Sequence, residues 1–221
     1  MDFRGKKVLE IGAGTGRDSF GLAGLGAEVV QVDYSESSLE IIRSLLKKEG
    51  LSVQLVRGDA FSLPFPDRTF DVVFHQGLLE HFRQSDARRL LSENVRVLGK
   101  GGLLLVDVPQ RYHVYTVIKH ILIFFNRWFA GWEKEFSIHE LQRALRAQGL
   151  EIIHSYGEWM YPSLFYRILR ELLEKLGIRL PMYPRLGSKL SALRKRIRER
   201  AWRSRIVLYT SLSIGVIGRK V

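Results

Sequence analysis

The sequence predicts an α/β fold built on a largely parallel sheet, and three observations carry that reading. Through the first 110 residues, short apolar runs alternate with helix-period segments, as expected of strands joined by helical crossovers. A glycine-rich turn separates the first run from the first helix. An acidic residue, Asp33, closes the second run.

Each element has a local reason. Lys-Val-Leu-Glu-Ile over 7–11 is a buried first strand that ends at glycines. A short helix is expected over 19–25 and a second strand over 28–33. Ser37 and Glu40 have the spacing of a capping box, opening a helix that runs to about residue 48 and stops at Gly50. Strands follow over 53–56 and 71–74. A helix over 86–98 closes with the turn Gly99-Lys100-Gly101-Gly102, and a fifth strand over 103–108 stops at Pro109.

Beyond Pro109 the pattern changes. Residues 114–132 form one long aromatic-rich helical candidate, with Phe124, Phe125, Trp128, Phe129 and Trp132 near its end. Ser137 and Glu140 make a second capping box, opening a helix to about residue 148 with Gly149 as its stop. A sixth strand over 151–155 precedes a helix over 163–176, a proline-containing linker over 177–187 and a basic helix over 188–203. A last strand is expected over 211–218. The chain is thus one domain over 1–221, carrying a lid-like helical segment over 111–150 and a basic helical insertion over 160–205.

Composition narrows the chemistry. With 221 residues, 46% of them hydrophobic, the chain buries a core of its own. The absence of cysteine excludes a disulfide scaffold, a thiolate zinc site and a cysteine nucleophile, and no metal ligands are assigned. The first residues lack the apolar stretch of a signal peptide, which makes the cytoplasm the expected compartment. No apolar run reaches the ~20 residues of a membrane span. The charge is concentrated: residues 160–205 hold thirteen Lys or Arg against three Glu, a net +10 of the chain's +12. Charge gathered in this way points to a polyanion or an anionic membrane surface.

Glu10-Ile11-Gly12-Ala13-Gly14-Thr15-Gly16 lies between a strand and a helix. Glycines there let the backbone turn sharply and approach a ligand, and the amides of a helix start face whatever polar group is bound. Asp33 at the end of the second strand supplies a carboxylate for both hydroxyls of a ribose. Together they indicate an adenosine-containing cofactor. The spacing is not the Gly-x-Gly-x-x-Gly of dinucleotide folds; it resembles motif I of the class I S-adenosylmethionine-dependent methyltransferases. Gly58-Asp59-Ala60 is similar to the adenine-contacting turn of that family, and Leu63-Pro64-Phe65 with Phe70-Asp71-Val72-Val73 to the lead-in to its fourth strand. Asn94-Val95-Arg96-Val97-Leu98 with Gly101-Gly102 resembles its helix before strand five. The resemblance is close over residues 6–110 and greatest to the small-molecule and lipid methyltransferases.

That resemblance implies a Rossmann-like, doubly wound seven-stranded sheet whose last strand is antiparallel, here with a helical insertion between strands six and seven. It implies S-adenosylmethionine as cofactor, held by Glu10, Gly12, Ala13, Gly14, Gly16, Asp33, Tyr34, Asp59, Ala60, His75 and Gln76. The acceptor would meet it beyond the carboxyl ends of strands four and five. His81, with Glu80 adjacent, and His113 are the candidate catalytic groups, because imidazole takes a proton near neutrality. Arg111 and Tyr112 are candidate acceptor contacts. Tyr115 and Lys119 have the spacing of the short-chain dehydrogenase pair, but glycines 101 and 102 stand where that family expects a serine. His75-Gln76-Gly77-Leu78 does not match the motif of enzymes that methylate amino groups of nucleic acids.

In the insertion, Leu186, Leu190, Leu193, Ile197 and Ala201 fall three or four apart, with Arg194, Lys195, Arg198 and Arg205 on the flanks and back. Such a helix suits an anionic lipid interface, with Trp159, Tyr161, Phe165, Tyr166 and Trp202 as its aromatic belt. The expected function is methyl transfer to an oxygen or nitrogen of a small or lipid-linked acceptor, peripherally at the cytoplasmic membrane face. The alternatives are an RNA methyltransferase using the basic insertion as its footprint, and a cofactor-binding module without transfer.

Overall fold

A computed structural model describes residues 2–127, 131–159, 163–182, 188–202 and 204–221. Trp128, Phe129, Tyr161 and Leu186 of the sequence argument lie outside the described residues. The strands are β1 (Lys7–Ile11), β2 (Glu28–Asp33), β3 (Gln54–Arg57), β4 (Phe70–Gln76), β5 (Leu98–Pro109), β6 (Leu150–Glu158) and β7 (Ser213–Lys220). The helices are α1 (Arg17–Gly24), α2 (Glu36–Glu49), α3 (Gln84–Val97), α4 (Val114–Phe124), α5 (Ile138–Arg146), α6 (Leu164–Lys175), α7 (Ser188–Trp202) and α8 (Val207–Thr210). A 3₁₀ turn, Leu79–His81, follows β4.

The sheet runs β3-β2-β1-β4-β5-β7-β6. Strands β1 to β5 pair in parallel, and β7 lies antiparallel between β5 and β6, as expected. Successive residues point to opposite faces, so a strand covered on both sides is apolar throughout; Val8 and Leu9 are both fully buried. On one face Leu9, Ile11, Val73 and Val106 pack with Leu90 and Leu91 of α3 and Leu141 and Leu145 of α5. On the other, Val8, Val29, Val72 and Phe74 pack with Leu22 and Ala23 of α1, and Leu39, Ile42 and Leu46 of α2 form a neighbouring cluster with Ala13.

Four local details depart from the sequence expectations. The cap of α2 is Ser35, not Ser37: its hydroxyl accepts from the Ser38 N–H, and its own N–H is already held by Asp33 Oδ1 at 2.8 Å. Strand β5 starts at Leu98 directly from α3, absorbing the predicted glycine turn as a register shift between Phe70 and Val72. A short helix not expected from the sequence, α8, precedes β7.

The fourth departure concerns the long aromatic helix. It ends at Phe124, because Asn126 adopts a left-handed φ of 54°. The Asn126 N–H then donates to Ile123 O and the Arg127 N–H to Leu122 O, the double closure of a Schellman end. By contrast, the capping box at Ser137 and Glu140 forms with both of its bonds.

Candidate active site

The site grows from the turn after β1. Gly14 has a φ of 55°, its missing Cβ would meet nothing within 4 Å, and its N–H donates to Asp33 Oδ2 at 2.8 Å. At Gly16 a Cβ would stand 2.7 Å from Gln31 Nε2 and 2.9 Å from Ile42 Cγ1, so only glycine lets the loop settle on β2 and α2. Glu10 is buttressing, not exposed: it accepts from Ser19 Oγ at 2.6 Å and Gln31 Nε2 at 2.7 Å, and burial raises its pKa. Gln31 is a site residue that the sequence reading missed. Its signal was an amide in the middle of an apolar strand.

Asp33 organises the rim. Its two oxygens accept from Gly14 and Ser35, and its carbonyl accepts from Gly58 N–H at 3.1 Å, which brings the Gly58-Asp59 turn alongside. Asp59 is exposed and shapes that turn by accepting from Phe61 N–H, while Ala60 is half-buried beside it. Tyr34 is exposed, and Ala13 is packed into the α2 cluster. Each Asp33 oxygen keeps a second lone pair for a hydroxyl. An open glycine backbone beside a carboxylate with free acceptor capacity is what an adenosyl group requires, so these residues fit it.

The ends of β4 and β5 meet at the Gly77 N–H, which donates to Asp107 O. His75 does not reach the rim. Central strand β4 is covered on both faces, so His75 is wholly buried, and desolvation lowers its pKa to about 4, so the ring is neutral. The expected cofactor contact through His75 therefore has no exposed atom to work with, whereas Gln76 is exposed. Glu80 and His81 also part company. His81 is exposed on the 3₁₀ turn, while Glu80 is 4% exposed and its Oε2 has no hydrogen bond among the described residues.

Burial, with the negative charges of Glu133 and Asp107 nearby, raises the Glu80 pKa to about 7. Its folded pKa thus exceeds its unfolded one. The stability it allows is complete below the ordinary carboxylate range and falls as pH rises through about 7. Asp107, raised to about 7 chiefly by burial, acts in the same direction. Glu80→Gln is expected to flatten this decline and to add about 2–3 kcal/mol at pH 8. Urea unfolding at pH 5 and pH 8 checks it; a variant no more stable than the parent at pH 8 contradicts the assignment.

After β5, Arg111 is committed elsewhere. Its guanidinium pairs with Glu140 at 2.9 Å and donates to Glu135 O at 3.0 Å, tying the start of the lid to α5 instead of facing an acceptor. Tyr112 is exposed. The His113 Nδ1 accepts from Tyr115 N–H and caps α4, so the lone pair a base would use is engaged there. Lys119 is 2% exposed, and its ammonium lies 2.9 Å from both Glu133 and Glu135. Burial alone would lower the Lys119 pKa, but the two carboxylates outweigh it and hold the ammonium charged. Removing one partner from a buried pair costs about 3–5 kcal/mol, so this clamp fixes α4 over the site.

Comparison with known proteins bears on this geometry. Residues 8–102 match a family model described as a methyltransferase domain. The chain is 31% identical over 163 residues to the ubiquinone biosynthesis O-methyltransferase of Rhizobium etli, covering 72% of this chain and 65% of that protein. It is 39% identical over 102 residues to the demethylmenaquinone methyltransferase of Clavibacter sepedonicus, covering 46% of this chain and 40% of that protein. The chain thus spans less than two thirds of the length of these relatives. Among solved structures, a SAM-dependent methyltransferase of Thermotoga maritima superposes with a TM-score of 0.62 at 23% identity, over 98% of this chain and 82% of that one. One of Archaeoglobus fulgidus gives 0.64 at 17% identity, over 99% and 88%.

Proposed function

We propose that the chain is a class I S-adenosylmethionine-dependent methyltransferase that methylates an oxygen or nitrogen of a small, lipid-linked acceptor at an anionic membrane surface. The observation that carries the reading is an adenosyl cradle, Gly14 against Asp33, in a chain whose helices α6 and α7 expose apolar residues. S-adenosylmethionine supplies an electrophilic methyl group on its sulfonium. Asp33 would bind the ribose, Asp59 the adenine side and the Gly12–Gly14 backbone the remainder. The protein's task is then to align the acceptor and exclude water. His81 is the exposed group at the mouth that can take a hydroxyl proton, since His75 is buried and His113 caps a helix.

Two lines support a lipid-linked acceptor. The relatives are named for ubiquinone and demethylmenaquinone methylation. On α6 Phe165 and Leu172 are exposed, as is Leu176 at its C-cap, and on α7 so are Leu190, Leu193 and Ile197. An RNA footprint needs the charges, and bases can stack on Phe165, but it has no use for the exposed leucines and Ile197. No helix among the described residues is long and apolar enough to cross a membrane.

Incubation with methyl-labelled S-adenosylmethionine and a total cell extract tests the acceptor class. Label is expected in the solvent-extractable lipid fraction. Label confined to RNA would overturn the lipid reading and favour the RNA alternative.

A further inference from the structure

Helix α4 is inside out. Val114, Val117, Ile121, Phe124 and Phe125 fall within about 100° of arc on an α-helix, the width of a face normally turned to the core. Here that face is outward: their exposures are 58%, 58%, 52%, 83% and 64%. On the opposite face Thr116 and Lys119 are buried, while Ile123 in the last turn of that face is 45% exposed. Propensity and the hydrophobic effect would roll such a helix over, so something holds it.

The hold is the polar face itself. Thr116 Oγ1 donates to Gln110 O at 2.9 Å, and Lys119 is clamped between Glu133 and Glu135. This arrangement has an electrostatic consequence. Glu133 and Glu135 are the only acids between residues 109 and 136, and both are turned inward onto Lys119. The outward side of the segment therefore carries no carboxylate. It offers the apolar stripe, the 50%-exposed Trp132 with the Arg83 guanidinium 5.4 Å over its ring, and the exposed Arg127, while the exposed His120 has its Nε2 3.5 Å from Glu135 Oε1. An apolar stripe bordered by cations and an aromatic, with every local acid withdrawn, is complementary to the surface of an anionic bilayer.

We propose that α4 is a membrane-inserting lid, seated in the acyl boundary of an anionic bilayer through Val114, Val117, Ile121, Phe124 and Phe125, with Lys119, Glu133 and Glu135 as the latch that fixes its outward face. Because α4 springs from the end of β5, insertion sets the acceptor side of the site against the lipid. A lipid-linked acceptor then enters along the helix without crossing water. That last point rests on the methyltransferase reading; insertion itself does not.

The test is cosedimentation of the whole chain with phosphatidylglycerol–phosphatidylcholine vesicles and with phosphatidylcholine alone. Binding is expected to the anionic vesicles, and the combined variant Val117→Ser, Ile121→Ser and Phe124→Ser is expected to weaken it at least tenfold. The same variant should bind S-adenosylhomocysteine as the parent does, which shows that it is folded. A milder variant, Phe124→Trp, places a reporter on the stripe. Its fluorescence should be quenched by lipids brominated on the acyl chain beyond the quenching of the parent.

Parent-like vesicle binding by the triple-serine variant, or no added quenching at position 124, overturns the insertion. If binding depends instead on Leu190, Leu193 and Ile197, the basic insertion is the membrane element and α4 is not. Insertion with no affinity for S-adenosylhomocysteine would leave the lid standing and defeat the methyltransferase reading.

Discussion

Replacing His81 by alanine is expected to lower turnover on a hydroxyl acceptor by ~10²–10⁴-fold while leaving the affinity for S-adenosylhomocysteine unchanged. Geometry removes the other two histidines near the ends of β4 and β5. His75 is wholly buried and held neutral by desolvation, so it cannot meet an acceptor. His113 accepts the Tyr115 N–H through Nδ1, and its replacement should cost about 1 kcal/mol of stability, as a lost helix cap does, with turnover nearly intact. His81 stands exposed on the 3₁₀ turn at the mouth, with its ring free of that role. Steady-state kinetics on both alanine variants separates the assignments. Normal turnover in both would mean that alignment alone carries catalysis.

Asp33→Ala is expected to weaken S-adenosylhomocysteine binding by about 2–3 kcal/mol, or ~30- to 150-fold. The carboxylate has two duties. It offers the acceptors for a ribose, and it holds the Gly14 and Ser35 amides at 2.8 Å each. Losing it removes the contact and loosens the loop that positions the rest. Asp33→Asn separates the two effects: an amide oxygen can still hold one backbone N–H, but the charge that strengthens the ribose bond is gone.

The sheet and the cofactor side of the site were legible because they depend on local rules. The bounds of β1 and β2 follow from apolar runs ended by glycine and aspartate, and Ser137 with Glu140 formed the box their spacing implies. What was not legible depends on partners far along the chain. Nothing near Arg111 announces that Glu140, twenty-nine residues on, will neutralise it. The helix that the aromatic run predicts over 114–132 ends at Phe124, because Asn126 takes a left-handed φ. His75 reads as a rim residue, yet β4 is covered on both faces as far as His75, and only Gln76 reaches the exposed end.

Lys119 is the most instructive of these. A lone lysine in an apolar helix reads as its solvent-facing point, which would make the aromatic residues the core side. The structure inverts that, because Glu133 and Glu135 return to meet the ammonium.

The central claim is that the Gly12–Gly16 loop and Asp33 form an adenosyl site of the methyltransferase kind. Calorimetric titration of the whole chain with S-adenosylhomocysteine, beside NAD and beside the Asp33→Ala variant, tests it most directly. The account predicts one molecule of S-adenosylhomocysteine bound per chain, no comparable heat from NAD, and the affinity loss above in the variant. Tight NAD binding without affinity for S-adenosylhomocysteine, or parental affinity in Asp33→Ala, would contradict it.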